Sequence, residues 1–233
     1  SSGSGPSYVI QAGDYGKTIS VKATGSKPNY STGTTTSAGV SVSAGGALVA
    51  TTTPVISGTP AVSSSLMTTP GVWSSQPTSY RYQWLRNGAP IPGATSTSYR
   101  TVPADAGTSI SVAVSAVRTG YADGAATAVG VSIPKMASTT AATLSKTRVP
   151  PGTRVKIGIT VTVTGVPGPV GAIKVFDGAK ALKTLTLVST RNGKLTWKLP
   201  KLKKGKHKIK AVYIGNGTIA GSKSKITKLY VVR

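Results

Sequence analysis

Residues 193–213 read GKLTWKLPKLKKGKHKIKAVY. Leu195, Trp197 and Leu199 alternate with Lys194, Thr196 and Lys198. After Lys201, Lys203, Lys204 and Gly205 the alternation resumes, with His207, Ile209, Ala211 and Tyr213 on one side and Lys206, Lys208 and Lys210 on the other. A period of two marks a strand with one face in a core and one in solvent. The stretch therefore predicts two strands joined by a lysine-rich turn, with a row of ammonium groups outside. The same period returns in residues 154–164, where Val155, Ile157, Ile159, Val161 and Val163 alternate with polar residues and Gly158, and in residues 79–85, where Tyr80, Tyr82 and Trp84 alternate with Arg81, Gln83 and Leu85. No window carries a sustained helical stripe, and strand and turn formers dominate, so the chain is expected to be all-β. A first strand and its turn are expected over 54–60, and strands over 65–69, 98–102, 110–117, 127–133, 172–176, 181–189, 193–199, 206–214 and 222–232. Asn87-Gly88 is the turn pair that a two-residue hairpin demands.

Residues 8–42 repeat residues 99–133 without a gap. Tyr8 and Tyr99, Asp14 and Asp105, Gly16 and Gly107, Ile19 and Ile110, Val21 and Val112, Tyr30 and Tyr121, Gly33 and Gly124, and Val40 and Val131 all pair. Such a repeat is one supersecondary unit used twice. The later copy is preceded by residues 51–98, the earlier one by only a few residues. The expected domains are thus 1–49, the second half of a unit; 50–136, a complete unit; and 137–233, a third. On this reading the chain is part of a longer protein, whose upstream sequence completes the first sandwich.

At SYRYQWLRNG and PADAGTSISVAV the chain resembles bacterial immunoglobulin-like repeats of secreted actinobacterial proteins. Trp84 stands where that family buries the tryptophan of its third strand, and Asp105 and Gly107 match its Asp-x-Gly turn. The disulfide cysteines and the corner tyrosine of the wider family are missing. Residues 139–232, with GAIKVFDG followed by TWKLPKLKKGKHKIKAVY, resemble a second class of bacterial immunoglobulin-like repeat, common in large surface proteins and as accessory modules of secreted hydrolases. The resemblance implies tandem immunoglobulin-like β-sandwiches in a secreted or cell-surface protein. It also implies that the third, sixth and seventh strands of the last domain share a sheet, gathering Lys174, Lys206, Lys208, Lys210, Lys223 and Lys225 on one face.

Charge sharpens this picture. The chain has 28 basic and 4 acidic residues, a net of +24, and no glutamate. Residues 137–233 hold 20 of the basic residues against Asp177 alone, a net of +19. Solubility does not need that ratio, and a field of one sign attracts polyanions. The six lysines are therefore the expected polyanion-binding residues. Wall teichoic acid or an acidic polysaccharide suits a secreted module better than nucleic acid, whose binding would call for exposed aromatics interleaved with the lysines. The alternative is a stalk that presents an upstream catalytic or adhesive domain, with the charge incidental.

Catalysis is poorly supplied. Asp14 and Asp105 share one repeat position, so both are expected to be turn residues; Asp177 opens a hairpin; Asp123 is expected in solvent. No two carboxylates are placed for glycoside hydrolysis. His207 is the only histidine; a Ser-His-Asp triad is formally available, but the alternation turns the ring inward to pack. One histidine, no cysteine and four scattered aspartates do not make a transition-metal site. No enzyme, cofactor, metal or membrane span is expected in this region. Trp84 and Trp197 fall on inward faces, which leaves Trp73 as the candidate for stacking on a sugar.

Overall fold

The computed structural model describes residues 5–233. It divides into two compact units, one formed by the residues up to 58 with 66–99 and 111–131, the other by 59–65, 100–110 and 132–233. The structure is all-β. Among the described residues the helical pieces are three single 3-10 turns, Ala12–Asp14, Pro103–Asp105 and Ser189–Arg191.

Alternation sets burial along the strand Ser109–Val117, which belongs to the first unit from residue 111 on; Val112, Val114 and Ala116 are buried and the residues between them are half-buried. Trp84 is fully buried, stacked on Tyr99 with centroids 5.7 Å apart, and its Nε1 donates to the Ser96 carbonyl at 2.9 Å. Asn87 (φ 48°) and Gly88 (φ 82°) turn the hairpin between Ser79–Arg86 and Ala89–Pro90, with both central residues at positive φ as such a turn requires. In the earlier repeat copy, Thr18–Ile19 pairs with Val40–Ser41 and Lys22–Gly25 with Gly33–Thr36. Val21 there is 61% exposed, whereas its counterpart Val112 is 0% exposed.

In the second unit, Asp105 is buried and closes the Pro103–Asp105 turn by accepting the Val102 N–H at 2.7 Å. The equivalent Asp14 of the first unit accepts the Gln11 N–H at 2.8 Å and the Tyr8 hydroxyl at 2.7 Å. Both copies thus use the repeat aspartate to satisfy turn donors.

The rest of the second unit is a two-sheet sandwich of nine strands: β1 (Thr139–Leu144), β2 (Arg148–Val149), β3 (Lys156–Thr162), β4 (Gly171–Asp177), β5 (Lys180–Leu187), β6 (Lys194–Lys198), β7 (Gly205–Tyr213), β8 (Ser222–Lys223) and β9 (Thr227–Val231). One sheet runs β1-β3-β6. The other runs β2-β9-β7-β4-β5, with β8 beside β7. Ile157, Ile159 and Val161 of β3 meet Ile173 and Val175 of β4, Ile209, Ala211 and Tyr213 of β7, and Leu229 and Val231 of β9 in one core. Buried tyrosine needs a polar outlet, and the Tyr213 hydroxyl donates to the Val170 carbonyl at 2.6 Å. The turn into β6 passes two successive left-handed residues, Asn192 (φ 45°) and Gly193 (φ 75°). At Gly193 a Cβ would collide with the Val161 carbonyl, and the backbone instead accepts the Val161 N–H at 2.8 Å.

Candidate functional site

β7 is the central strand of the larger sheet, and its register with both neighbours sets the site. Ile209, Ala211 and Tyr213 are buried, so Lys206, Lys208, Lys210 and Val212 face out. On one side Lys206 lies opposite Tyr230 and Lys208 opposite Lys228 of β9, and Arg148 of β2 lies beside Tyr230. On the other side Lys210 lies opposite Phe176 and Val212 opposite Lys174 of β4. Val212 also faces Lys223 of β8. The outer face therefore holds seven cations: Arg148, Lys174, Lys206, Lys208, Lys210, Lys223 and Lys228. Directly opposed like charges destabilise a sheet, yet Lys208 faces Lys228 here. The second sheet repeats the motif on its own outer side, with Lys156 opposite Lys198.

The one acid of residues 137–233 does not neutralise this face. Asp177 sits opposite buried Ile209, on the core side at the end of β4. One carboxylate oxygen lies 2.6 Å from His207 Nδ1, and the other accepts the Lys208 backbone N–H at 3.0 Å. His207 Nε2 lies 2.8 Å from the Lys203 carbonyl. Both ring nitrogens thus face oxygen acceptors, an arrangement that the doubly protonated imidazolium satisfies and either neutral tautomer does not. Burial by itself would lower the pKa of His207. The Lys203 carbonyl and the Asp177 carboxylate outweigh it and hold the ring above the ordinary histidine value. The ring nitrogen that would serve a serine in a triad is taken up by the Lys203 carbonyl in this structure.

Of the residues expected from sequence, Lys174, Lys206, Lys208, Lys210 and Lys223 stand on one sheet face. Lys225 lies between β8 and β9, exposed but outside a strand. Trp73 does not stand at an open edge: it is 7% exposed, and its Nε1 donates to the Pro70 carbonyl at 3.0 Å, so its ring offers no free face to a sugar. The Pro70-Gly71 turn supplies that acceptor and folds the indole inward. Trp197 is half-buried against the core. Asp123 is not simply solvated, since it pairs with Arg81 in the first unit. Arg148, Lys228, Phe176 and Tyr230 escaped the sequence reading. For Lys228 and Tyr230 a signal existed, the alternation of Thr227, Leu229 and Val231 with them. Arg148 lies on a strand of two residues, too short to show a period. Among the described residues no three His, Cys, Asp or Glu side chains gather as a metal site, and no helix is long and apolar enough to cross a membrane.

A two-layer sandwich with a basic outer face is the class that geometry defines. Residues 142–232 match the family model of the bacterial Ig-like domain (group 3). Among solved structures, the chain is similar to the fibronectin(III)-like modules of Clostridium thermocellum CbhA, at 14% identity over 81% of this chain and 90% of that one, with a TM-score of 0.34. It is also similar to the D0-D1 domain of intimin, at 14% identity over 78% of this chain and 97% of that one, with a TM-score of 0.31. No curated protein matches the chain.

Proposed function

We propose that this chain is a binding and spacer region of a secreted or cell-surface bacterial protein, and that the face built on β7 attaches it to an anionic polymer. The observation that carries the reading is the Lys208–Lys228 opposition on a seven-cation face with no acid, the nearby carboxylate being turned away to His207. Mutual repulsion on such a face is relieved when a polyanion replaces small counterions. The match of residues 142–232 to a bacterial Ig-like family supports a module outside the cell. The ligand class is an anionic wall polymer or an acidic polysaccharide. The exposure of Val21 and Val40, at 61% and 67%, supports a second partner: strands like those of residues 51–98, from an upstream part of the same protein, covering the earlier repeat copy. A catalytic or adhesive domain attached to this region would be held at the polymer by it.

The test is retention of the protein on purified cell walls before and after teichoic acid is stripped, over a salt series. Retention should fall steeply toward physiological salt, where the Debye length is about 8 Å. The triple change Lys206→Glu, Lys208→Glu and Lys210→Glu should abolish most of it while leaving thermal unfolding intact, since these side chains point away from the core. If retention ignores salt and the triple change alike, the region is a stalk and the charge is incidental.

A further inference from the structure

We propose that the polymer held on this face carries its charges on ring-shaped units, as an acidic polysaccharide does, and that Tyr230 and Phe176 are the residues its rings stack on. The proposal rests on the polyanion reading above and selects within it. Three observations lead to it. First, both rings occupy outward positions of the sheet and are half-buried: Tyr230 lies between buried Leu229 and Val231, and Phe176 follows buried Val175. Second, each is in register with a cation, Tyr230 with Lys206 on one side and Arg148 on the other, Phe176 with Lys210, whose Nζ sits 5.2 Å from its ring centroid. A sugar ring whose charged group is drawn to Lys210 or Lys206 is thereby brought beside an aromatic ring, with the charge on the ammonium and the ring's C–H face toward the π system. Third, the two rings flank the lysine row on opposite sides. They are two strands apart, and their register partners on β7 are four residues apart, so they stand about 16 Å from one another across the face.

A chain of bare phosphates would use only the ammonium groups and leave both rings idle. A polymer of charged sugar rings uses both, because aromatic faces hold ring-shaped ligands by stacking while charges fix their position. Single-stranded nucleic acid also stacks on aromatics, but on platforms that serve successive bases. Here the Lys208–Lys228 pair occupies the space between the two rings, and no third ring of the face serves the intervening bases.

The experiment measures affinity of the full chain for three soluble polyanions at equal salt: polygalacturonate, inorganic polyphosphate and an oligothymidylate. Wild-type protein should prefer polygalacturonate to polyphosphate of matched charge. Tyr230→Ala and Phe176→Ala should each weaken polygalacturonate about tenfold and leave polyphosphate unchanged, while Tyr230→Phe, which keeps the ring, should bind as wild type. Thermal melts show whether each variant is folded, and the wild-type preference tests the idea even if an alanine variant is not. Equal wild-type affinity for polygalacturonate and polyphosphate, with no effect of either ring, overturns the ring proposal and leaves polyanion binding standing. A ring-dependent preference for the oligothymidylate overturns it in favour of nucleic acid. Failure to bind any of the three at low salt overturns the underlying reading itself.

Discussion

At the scale of single residues, the two informative side chains are an aspartate and a histidine that look catalytic in a list and are structural in space. Asp105 accepts the Val102 N–H inside a buried turn. Asp105→Ala leaves that donor without its partner, which should lower stability by about 1–3 kcal/mol. Binding by the protein that remains folded should not change; chemical denaturation and a binding isotherm on the same sample check both halves. His207 gives a pH prediction. Its folded-state pKa is raised above its unfolded value, so the stabilisation it provides is fully present below the ordinary histidine value of about 6.5 and is lost as pH rises through the folded value. Thermal unfolding followed from pH 5 to 9 should therefore show the sandwich of residues 139–231 losing stability on the alkaline side. His207→Gln should flatten that limb. A wild-type profile that is flat or rises across it would mean that the ring is not held as the imidazolium.

At the scale of strands and turns, the alternation of residues 193–213 gave β6 and β7 to within one residue at each end, because a buried face imposes its period on the sequence. Sequence said less where an element carries no period. Residues 222–232 read as one strand, but the chain breaks between β8 and β9: Ser224 turns inward and its hydroxyl accepts the Ala211 N–H at 3.0 Å, a side chain taking the place of a ladder bond. β2 was not legible because two residues show no alternation, and its parallel pairing with β9 joins positions about eighty residues apart. The turn at Asn192-Gly193 is a place where backbone conformation governs. Gly193→Ala forces a side chain into the left-handed region and against the Val161 carbonyl. It should cost about 1–3 kcal/mol or more. Asn192→Ala, in the same region of φ but exposed, should cost less; denaturant midpoints of the two variants provide the comparison.

At the scale of the whole molecule, net charge raised the expectation of a polyanion partner but could not draw a site for one. Which lysines share a face depends on cross-strand register, and register is a tertiary fact. Lys174, Lys206, Lys208, Lys210 and Lys223 could be grouped in advance only by assuming the strand order of an immunoglobulin-like sheet. Arg148 and Lys228 enter through pairings that this order alone does not supply. Trp73 differs in the opposite way: no alternation marks it as inward, yet the fold uses the Pro70-Gly71 turn to bury the ring. The asymmetry of charge between the two parts of the sequence has a measurable counterpart. Removing three cations from the β7 face should reduce the slope of log affinity against log salt, and a change confined to the first unit, such as Lys22→Gln, should not.

The contact between the His207 ring and the Lys203 carbonyl ties the loop of residues 200–204 to the sheet. That loop carries Lys201, Lys203 and Lys204, each followed by a bond that trypsin recognises. A protease cuts a segment only when it opens, and the cutting rate follows the population of the open form. Loss of the imidazole proton leaves one of the two contacts of the ring unmade and should therefore make this loop easier to nick. Limited trypsinolysis at a series of pH values, corrected for the enzyme's own pH dependence, should show the loop protected in mild acid and cut in mild alkali. A polymer lying along β7 would shield the same bonds at any pH.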